Sequence, residues 1–159
     1  MTAPVLVAAE SGEALWFGGG LVKLQVTSAQ SDGALALLRD RMPRGKTTPL
    51  HLHPNFDETL CLISGSILVH VDGAEYPVGP GGTVFVPRGV AHAFLVTSPE
   101  AEILAIATPG DVFEQFLRAA SEPATDKTAA PPPLDIERVR AAGDRTGGMR
   151  VLGPPPFAR

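Results

Sequence analysis

Glycine and proline recur so often along this chain that long helices are excluded from most of it. The 159 residues include 17 glycines and 16 prolines, and both residue types interrupt helices. Between about residues 21 and 108 they separate short apolar runs rich in β-branched residues, the pattern of a β-sandwich or barrel. The runs are LVKLQV, ALALLRDRM, TLCLI, SILVHV, TVFVP, HAFLV and EILAIA. We therefore expect an all-β fold, with a hairpin turn at Asp72-Gly73.

The pattern changes to a helical one after residue 109. Asp111 and Glu114 have the spacing of a helix N-cap box, and apolar residues follow at helical intervals. One helix of about three turns should close the core there. A second short helix is expected to begin near Asp135 and to end at Gly143.

The proline content of the C-terminal region suggests a boundary in the chain. Residues 121–133 read SEPATDKTAAPPP, a composition typical of a linker. We therefore divide the chain into a domain over 1–120, which includes the N-terminal strands and the closing helix, and a Pro-rich linker and tail over 121–159.

Charge and cysteine content exclude several classes of protein. The chain has 13 Lys and Arg against 17 Asp and Glu, a net charge of −4, which gives no long-range attraction to nucleic acid or to an anionic membrane. A single cysteine, Cys61, allows no intramolecular disulfide and no Cys-based zinc site. No apolar run is long enough to span a membrane. We expect a cytoplasmic protein that binds neither nucleic acid nor membranes.

Three of the four histidines lie close to one acidic residue in the sequence. His51 and His53 are two residues apart, so on a strand their side chains leave the same face about 6.6 Å apart. A turn-prone stretch precedes Glu58, and a second corner, Pro-Arg-Gly, precedes His92. His70 lies in a run that reads as an ordinary strand. A histidine pair alone is weak evidence for a metal site, and its surroundings must decide.

These residues stand in two spaced motifs that resemble those of the cupin superfamily. The first motif is matched by Gly45, His51, His53, Glu58 and Gly65, and the second by Gly81, Pro87, Gly89 and His92. Val96 stands where cupins commonly have Asn. The resemblance implies a double-stranded β-helix, the cupin jelly-roll barrel, with one or two short C-terminal helices.

The resemblance also implies a set of metal ligands. The ligand positions of the family fall on His51, His53, Glu58 and His92, and none of them is missing. Three imidazoles and one carboxylate suit one divalent transition metal per chain, and Fe, Ni, Co, Mn, Cu and Zn all remain open. An octahedral ion would keep two positions free for substrate or oxygen.

Three segments are similar to those of small single-domain cupins of the bacterial quercetin 2,3-dioxygenase type: GEALWFGGGLVKLQV before the barrel, PRGVAHAFLV within it and ATPGDVFEQFLRAASEPA after it. This similarity implies a metal-dependent dioxygenase that cleaves a flavonol, or a related phenolic or enolic aromatic substrate, with O₂ and releases carbon monoxide from flavonols. Glu58 would take the proton of the substrate hydroxyl. Two alternatives stay open: a non-oxidative cupin enzyme, such as an aromatic polyketide cyclase or isomerase, and a small-molecule-binding cupin without turnover.

A planar aromatic substrate requires an apolar pocket, and six residues are candidates for it by motif proximity or strand parity. Each of them would serve equally well as ordinary core. Cys61 has the opposite strand parity to Glu58 and should face away from the metal. Sheet edges need cover, and the apolar N-terminal runs VLVAA and LVKLQV could supply a strand or an interface to a partner barrel. Together with the resemblance, this leads us to expect a homodimer. The six pocket candidates are Phe56, Phe94, Leu60, Leu62, Met42 and Trp16.

Overall fold

Two antiparallel sheets make up most of the molecule in the computed structural model, which describes residues 3–158. The strands are β1 (Glu13–Phe17), β2 (Gly20–Val26), β3 (Ala36–Pro43), β4 (Leu50–Leu52), β5 (Asp57–Ser64), β6 (Ile67–Val71), β7 (Ala74–Val78), β8 (Thr83–Val86), β9 (His92–Val96), β10 (Glu100–Thr108), β11 (Glu122–Pro123) and β12 (Arg150–Gly153). The larger sheet has the order β11-β1-β2-β3-β10-β5-β8, and the smaller sheet has the order β12-β4-β9-β6-β7. This architecture confirms the expected all-β double-stranded β-helix.

Alternating burial along the strands places the hydrophobic core between the two sheets. In β10 every second residue is buried, and its partner β3 shows the same period of two, as expected for strands with one face in a core. The seven apolar runs of the sequence correspond to β2, β3, β5, β6, β8, β9 and β10.

The hairpin predicted at Asp72-Gly73 joins β6 to β7. Val71 pairs with Ala74, which leaves a two-residue loop. Asp72 and Gly73 have φ angles of 52° and 75°. Two positive φ angles in a two-residue loop are the signature of the type I′ turn, whose twist matches that of the flanking strands.

The first helix, α1 (Asp111–Ala120), forms where it was expected, but the predicted N-cap box is wrong. Gly110 is the N-cap residue, and no side chain in the described part of the chain caps the helix. Glu114 instead accepts a hydrogen bond from the backbone N–H of Ser28 at 2.7 Å and pairs with Arg118. The carboxylate of Glu114 therefore binds Ser28 and Arg118 instead of capping the helix. Its charge still lies in the first turn of the helix, where the helix dipole favours it.

The second helix, α2 (Ile136–Thr146), begins as predicted and runs past its predicted end. Asp135 caps it by accepting a hydrogen bond from the backbone N–H of Arg138 at 3.0 Å. Gly143 does not end the helix. A Cβ at Gly143 would lie 2.1 Å from the carbonyl oxygen of Met149, so the glycine allows the returning chain to pass close to α2.

Residues 121–158 pack against the barrel at three places. Strand β11 pairs with β1, β12 pairs with β4, and α2 packs on α1. The helices share a second apolar cluster, whose buried members are Phe116, Ala120, Val139, Ala142 and Met149. The proline-rich region therefore leads into a segment that returns to the sheets. The division into 1–120 and 121–159 stays a prediction.

The run LVKLQV cannot supply a free edge for a partner, because β2 lies between β1 and β3 in the larger sheet. Of the N-terminal run VLVAA, Leu6 is fully exposed. No helix within residues 3–158 is long and apolar enough to cross a membrane. The expected homodimer stays a prediction.

Candidate metal centre and cavity

The smaller sheet brings three histidines together at one buried point. His51 of β4 pairs in register with His92 of β9, and His53 follows directly after β4. One ring nitrogen from each of the three lies within 4.8 Å of the others, and all three side chains are buried. A metal ion at this point could be reached by all three imidazoles.

Glu58 completes the cluster from the larger sheet. It lies near the start of β5, and its Oε2 is 3.1 Å from Nε2 of His92 and 3.7 Å from Nε2 of His53. The four residues that the sequence singles out as ligands are therefore neighbours in space.

Backbone carbonyls fix the orientation of each imidazole. The Nδ1 atoms of His51 and His92 lie 2.8 Å and 3.0 Å from the carbonyl oxygens of Pro49 and Val90. Nδ1 of His53 lies 2.8 Å from the carbonyl oxygen of Gly148. A carbonyl can only accept a hydrogen bond, so each Nδ1 carries the proton. Each Nε2 is then the atom that could bind a metal, and at His92 a metal would replace the proton that Nε2 donates to the Glu58 carboxylate.

The carboxylate and imidazoles shift one another's pKa. Burial raises the pKa of Glu58, but charge and hydrogen bonding from His53 and His92 outweigh it and hold that pKa well below its ordinary value. Burial, followed by repulsion from the other two rings, lowers the pKa of His51 well below its ordinary value. For His92, burial is outweighed by the hydrogen bond and charge of Glu58, which raise the pKa. Glu58 is thus ionised and His51 neutral at neutral pH.

The donor set fits a divalent transition metal. Nε2 of His53 is buried and has no hydrogen-bond partner among the described residues, although an unpartnered buried nitrogen is costly. A metal ion would satisfy this nitrogen together with the other two imidazoles and the carboxylate. The chemistry of the ligands does not select one metal from Fe, Ni, Co, Mn, Cu and Zn.

An apolar cavity lies beside this cluster. Its volume is about 70 Å³, and its walls include His51, His53 and Glu58. Two of the six expected pocket residues, Leu60 and Phe94, line it. The C-terminal segment contributes to the wall as well, through Leu134, Val139 and Met149.

The other four expected pocket residues lie elsewhere. Met42, Phe56 and Leu62 are buried in the core between the sheets, and Phe56 stacks on the ring of His53 with centroids 4.4 Å apart. Trp16 lines a separate depression near the start of α2. Motif proximity and strand parity do not show whether a side chain borders a cavity, which is why these four were candidates.

His70 and Cys61 both lie away from the cluster. His70 is half-buried on β6 and contacts the ring of Phe157 edge-on. Cys61 pairs with Thr83 on β5 and β8, and its Sγ is 3.9 Å from the threonine hydroxyl.

Two features of the site were not expected from the sequence. The first is the contact of Gly148 with His53, which has no sequence signal because a backbone carbonyl is the acceptor. The second is a buried pair, Asp40 and Lys46, in the cavity wall. The sequence signal for Asp40 was a charged residue at a strand position whose side chain should face the apolar core.

The chain has the features of a double-stranded β-helix protein with a candidate metal site: two stacked antiparallel sheets and a buried cluster of three histidines and one carboxylate. Residues 38–108 match the family model of the Cupin domain. The match covers a little under half of the chain, and over these residues the chain is similar to cupins.

A curated relative and several solved structures are similar to the chain. Quercetin 2,3-dioxygenase of Bacillus subtilis (strain 168) is 25% identical over 120 residues, which are 76% of this chain and 35% of that protein. The chain thus spans about a third of the length of this curated relative. KdgF from Halomonas sp. has a TM-score of 0.60 at 18% identity and covers 68% of this chain and 94% of its own.

A second solved structure that is similar to the chain comes from a protein with a described activity. Pac13, described as a nucleoside dehydratase, has a TM-score of 0.57 at 16% identity and covers 68% of this chain and 84% of its own. At this level of identity both structures show the fold alone.

Replacing Gly148 by alanine is expected to weaken metal binding without removing a ligand. A Cβ at this position would lie 2.3 Å from Cβ of Phe116, so the loop must move and its carbonyl must leave His53. Loss of such an outer-shell partner typically weakens metal affinity about 10- to 100-fold. The affinity is measured by competition with a chelator. Gly153→Ala is the control, because no atom of residues 3–158 lies within 4 Å of its added Cβ, and equal affinities of the two variants would contradict the prediction.

Acidification is expected to release the metal. An imidazole must be neutral to bind a metal, and the raised pKa of His92 means that protons compete for this nitrogen over a higher pH range than for an ordinary histidine. We expect about one divalent ion per chain at about pH 8 and little at about pH 5. Elemental analysis after dialysis at each pH measures this, and a constant metal content over that range would be the contrary result.

Proposed function

We propose that this chain is a metal-dependent cupin dioxygenase of the quercetinase type. It would act on a flavonol, or on a related phenolic or enolic aromatic substrate, together with O₂. The reaction is suggested by the quercetin 2,3-dioxygenase of Bacillus subtilis, and the chain spans about a third of that protein. The substrate and the reaction are therefore part of the proposal.

One observation carries the proposal: the histidine cluster and its carboxylate border a cavity whose other walls are mostly apolar. Val22, Leu38 and Ile103 from the larger sheet and Phe94 from the smaller one line it beside His51. An apolar cavity with a few converging polar groups is the usual form of a site for an aromatic small molecule. Apolar walls also lower the local dielectric constant, which strengthens electrostatic interactions inside the cavity.

In this proposal the histidines and the carboxylate of the cluster have different roles. His51, His53 and His92 would hold the ion. A bound divalent ion would act as a Lewis acid that lowers the pKa of a substrate hydroxyl. Glu58 is ionised because its pKa is low, and it accepts the hydroxyl proton at a carboxylate oxygen. The electron-rich substrate anion that results is the species that reacts with O₂.

The size of the cavity adds a condition to the proposal. One water requires a cavity volume of about 10–15 Å³. A cavity of about 70 Å³ therefore holds a few waters and is too small for a three-ring flavonol. A substrate of that size therefore requires part of the wall to move. Leu134, Val139 and Met149 lie in the C-terminal segment, outside residues 38–108 of the domain match, and we propose that this segment shifts to admit the substrate.

A second candidate function is a non-oxidative reaction, such as cyclisation or isomerisation of an aromatic polyketide. The observation in its favour is the buried Asp40–Lys46 pair in the cavity wall, because a carboxylate beside an ammonium group can exchange protons with a substrate without any oxidant. A cupin that binds its ligand without turnover is the remaining alternative.

Oxygen uptake separates these functions. Protein whose metal content has been quantified is mixed with a panel of flavonols and polyketide phenols, and O₂ consumption and carbon monoxide release are followed. We expect both with at least one flavonol. Product formation without O₂ uptake would support the non-oxidative enzyme, and stable complexes with no product would support the binding protein. The cytoplasmic location and the homodimer stay predictions beside this proposal.

A further inference from the structure

A second buried polar pair faces the same cavity as the histidine cluster. Asp40 lies on β3, and Lys46 lies in the connection from β3 to β4. Their side chains are only 7% and 4% exposed, and Lys46 Nζ lies 2.5 Å from Asp40 Oδ2. Both residues line the cavity, so the pair belongs to the wall that a bound molecule would contact.

Asp40 occupies a position where the strand pattern calls for an apolar residue. Its inward-facing neighbours on β3, Leu38 and Met42, are buried in the core. Val22 of β2 and Ile103 of β10 pair with Asp40 in register, so apolar side chains flank it on both sides. Burial raises the pKa of Asp40 even though its lysine partner opposes that change. Apolar residues of similar size often stabilise a fold as well as a buried ion pair does, so stability alone does not explain the pair.

The hydrogen bonds of the pair are incomplete. Asp40 Oδ1 is buried and has no partner within the described part of the chain. Lys46 has three N–H donors, and among the described residues its only contact besides Oδ2 is a long one of 3.4 Å to the carbonyl oxygen of Phe17. One carboxylate oxygen and at least one ammonium hydrogen are therefore available to a further group.

The larger sheet leaves room for the pair. A Cβ at Gly20 of β2 would lie 2.5 Å from both Asp40 Oδ1 and Lys46 Nζ. The charged groups thus pack directly against a backbone that has no side chain at this point.

We propose that Asp40 and Lys46 form an anchor for a hydroxyl group of the substrate, separate from the group that meets the histidine cluster. A hydroxyl both donates and accepts, so it can donate to Asp40 Oδ1 and accept from Lys46 Nζ. The two polar sites would hold one molecule at two points, which selects aromatic substrates with a ring hydroxyl remote from the reacting one. This inference rests on the proposed function for the aromatic class of the substrate.

Two probes that share the reacting group test the anchor. Quercetin and 3-hydroxyflavone both carry the hydroxyl beside the ring carbonyl, and quercetin alone carries further ring hydroxyls. Their affinities for metal-loaded protein are measured by fluorescence titration without oxygen, so binding is observed apart from turnover. We expect quercetin to bind at least about tenfold more tightly, because hydrogen bonds to charged groups have effects of that size.

The double variant Asp40→Leu/Lys46→Met removes the anchor and fills its space with apolar side chains. We expect it to retain metal and a melting temperature no lower than that of the wild type, because such exchanges are often neutral or stabilising, and to lose the preference for quercetin. Lys23→Met is the matched control: Lys23 is also buried and paired, with Glu10, but it lines a depression apart from the cavity. This variant should keep the preference.

Each outcome decides for or against the anchor. Equal affinity of the wild type for the two probes would overturn it, as would an unchanged preference in the double variant or an equal weakening of both probes. If the double variant does not fold, Asp40→Val/Lys46→Leu, which removes the same two polar groups with different apolar side chains, is judged by the same ratio. Oxygen uptake tests the proposed function separately: a quercetin preference without O₂ uptake would contradict the dioxygenase and leave the anchor standing.

Discussion

Alanine in place of His51 or His92 is expected to empty the metal site, whereas alanine in place of His70 leaves it filled. The first two histidines face each other across β4 and β9 with Nε2 directed into the cluster. Removing one takes away an inner ligand, so the affinity should fall by more than the about 10- to 100-fold that loss of an outer-shell partner costs. Elemental analysis after reconstitution at neutral pH and desalting measures the effect.

His70→Ala is the matched control for this experiment. Like His51 and His92, His70 lies on a strand of the smaller sheet, but it is half-buried, contacts Phe157 and lies outside the group of converging nitrogens. The variant should hold about one ion per chain, as expected for the wild type. If His70→Ala loses as much metal as His51→Ala, the metal is bound elsewhere or nonspecifically.

Thermal melting separates metal loss from unfolding in these variants. The core between the sheets consists of apolar residues such as Leu38, Ile67 and Ile103, so the metal is not needed to hold the strands together. We therefore expect metal-free His51→Ala and metal-free wild type to melt within a few degrees of each other.

The sequence was sufficient for the parts of the fold that local rules determine. The strands follow from alternation between turn residues, the β6–β7 hairpin from Asp72-Gly73, and the start of α2 from the capping residue Asp135. The N-cap box at Asp111 failed because Glu114 found a tertiary partner, Ser28, 86 residues away. Such a partner leaves no trace in local sequence.

The residues of the candidate site show the same difference between what local sequence predicts and what depends on tertiary contacts. Spacing and family resemblance named His51, His53, Glu58 and His92, and the fold brings these four together. The cavity wall depends on which inward-facing side chains border empty space, a property of packing in three dimensions. For this reason Leu60 borders the cavity, while other core residues from the same pattern do not.

The C-terminal segment was the least predictable part because its role depends on return contacts. Its proline-rich start reads as a linker, yet Val151 pairs with His51, and the carbonyl of Gly148 orients His53. The C-terminal segment therefore orients one candidate ligand and also forms part of the cavity wall, although it is distant from both in the sequence.

Glu58→Gln is expected to abolish most of the turnover while leaving most of the metal in place. Glutamine keeps the size of the side chain and one oxygen that can coordinate, but it removes the negative charge and the ability to accept a proton. The three histidines should still hold the ion, though more weakly. If Glu58 is the proton acceptor, kcat should fall by the about 10²- to 10⁴-fold that general base catalysis contributes.

Measuring kcat and metal content in the same sample separates the two roles of Glu58. If the carboxylate only anchors the ion, activity falls in proportion to the metal that is lost. If it accepts the proton, a sample that retains more than about half of its metal still loses at least about 100-fold in kcat. Thr59→Ser is a suitable control, because Thr59 is the next residue on β5 and pairs with Phe85 on the outer strand β8. A metal-replete Glu58→Gln variant with nearly full turnover would exclude the proton-transfer role, and substrate activation would then depend on the ion alone.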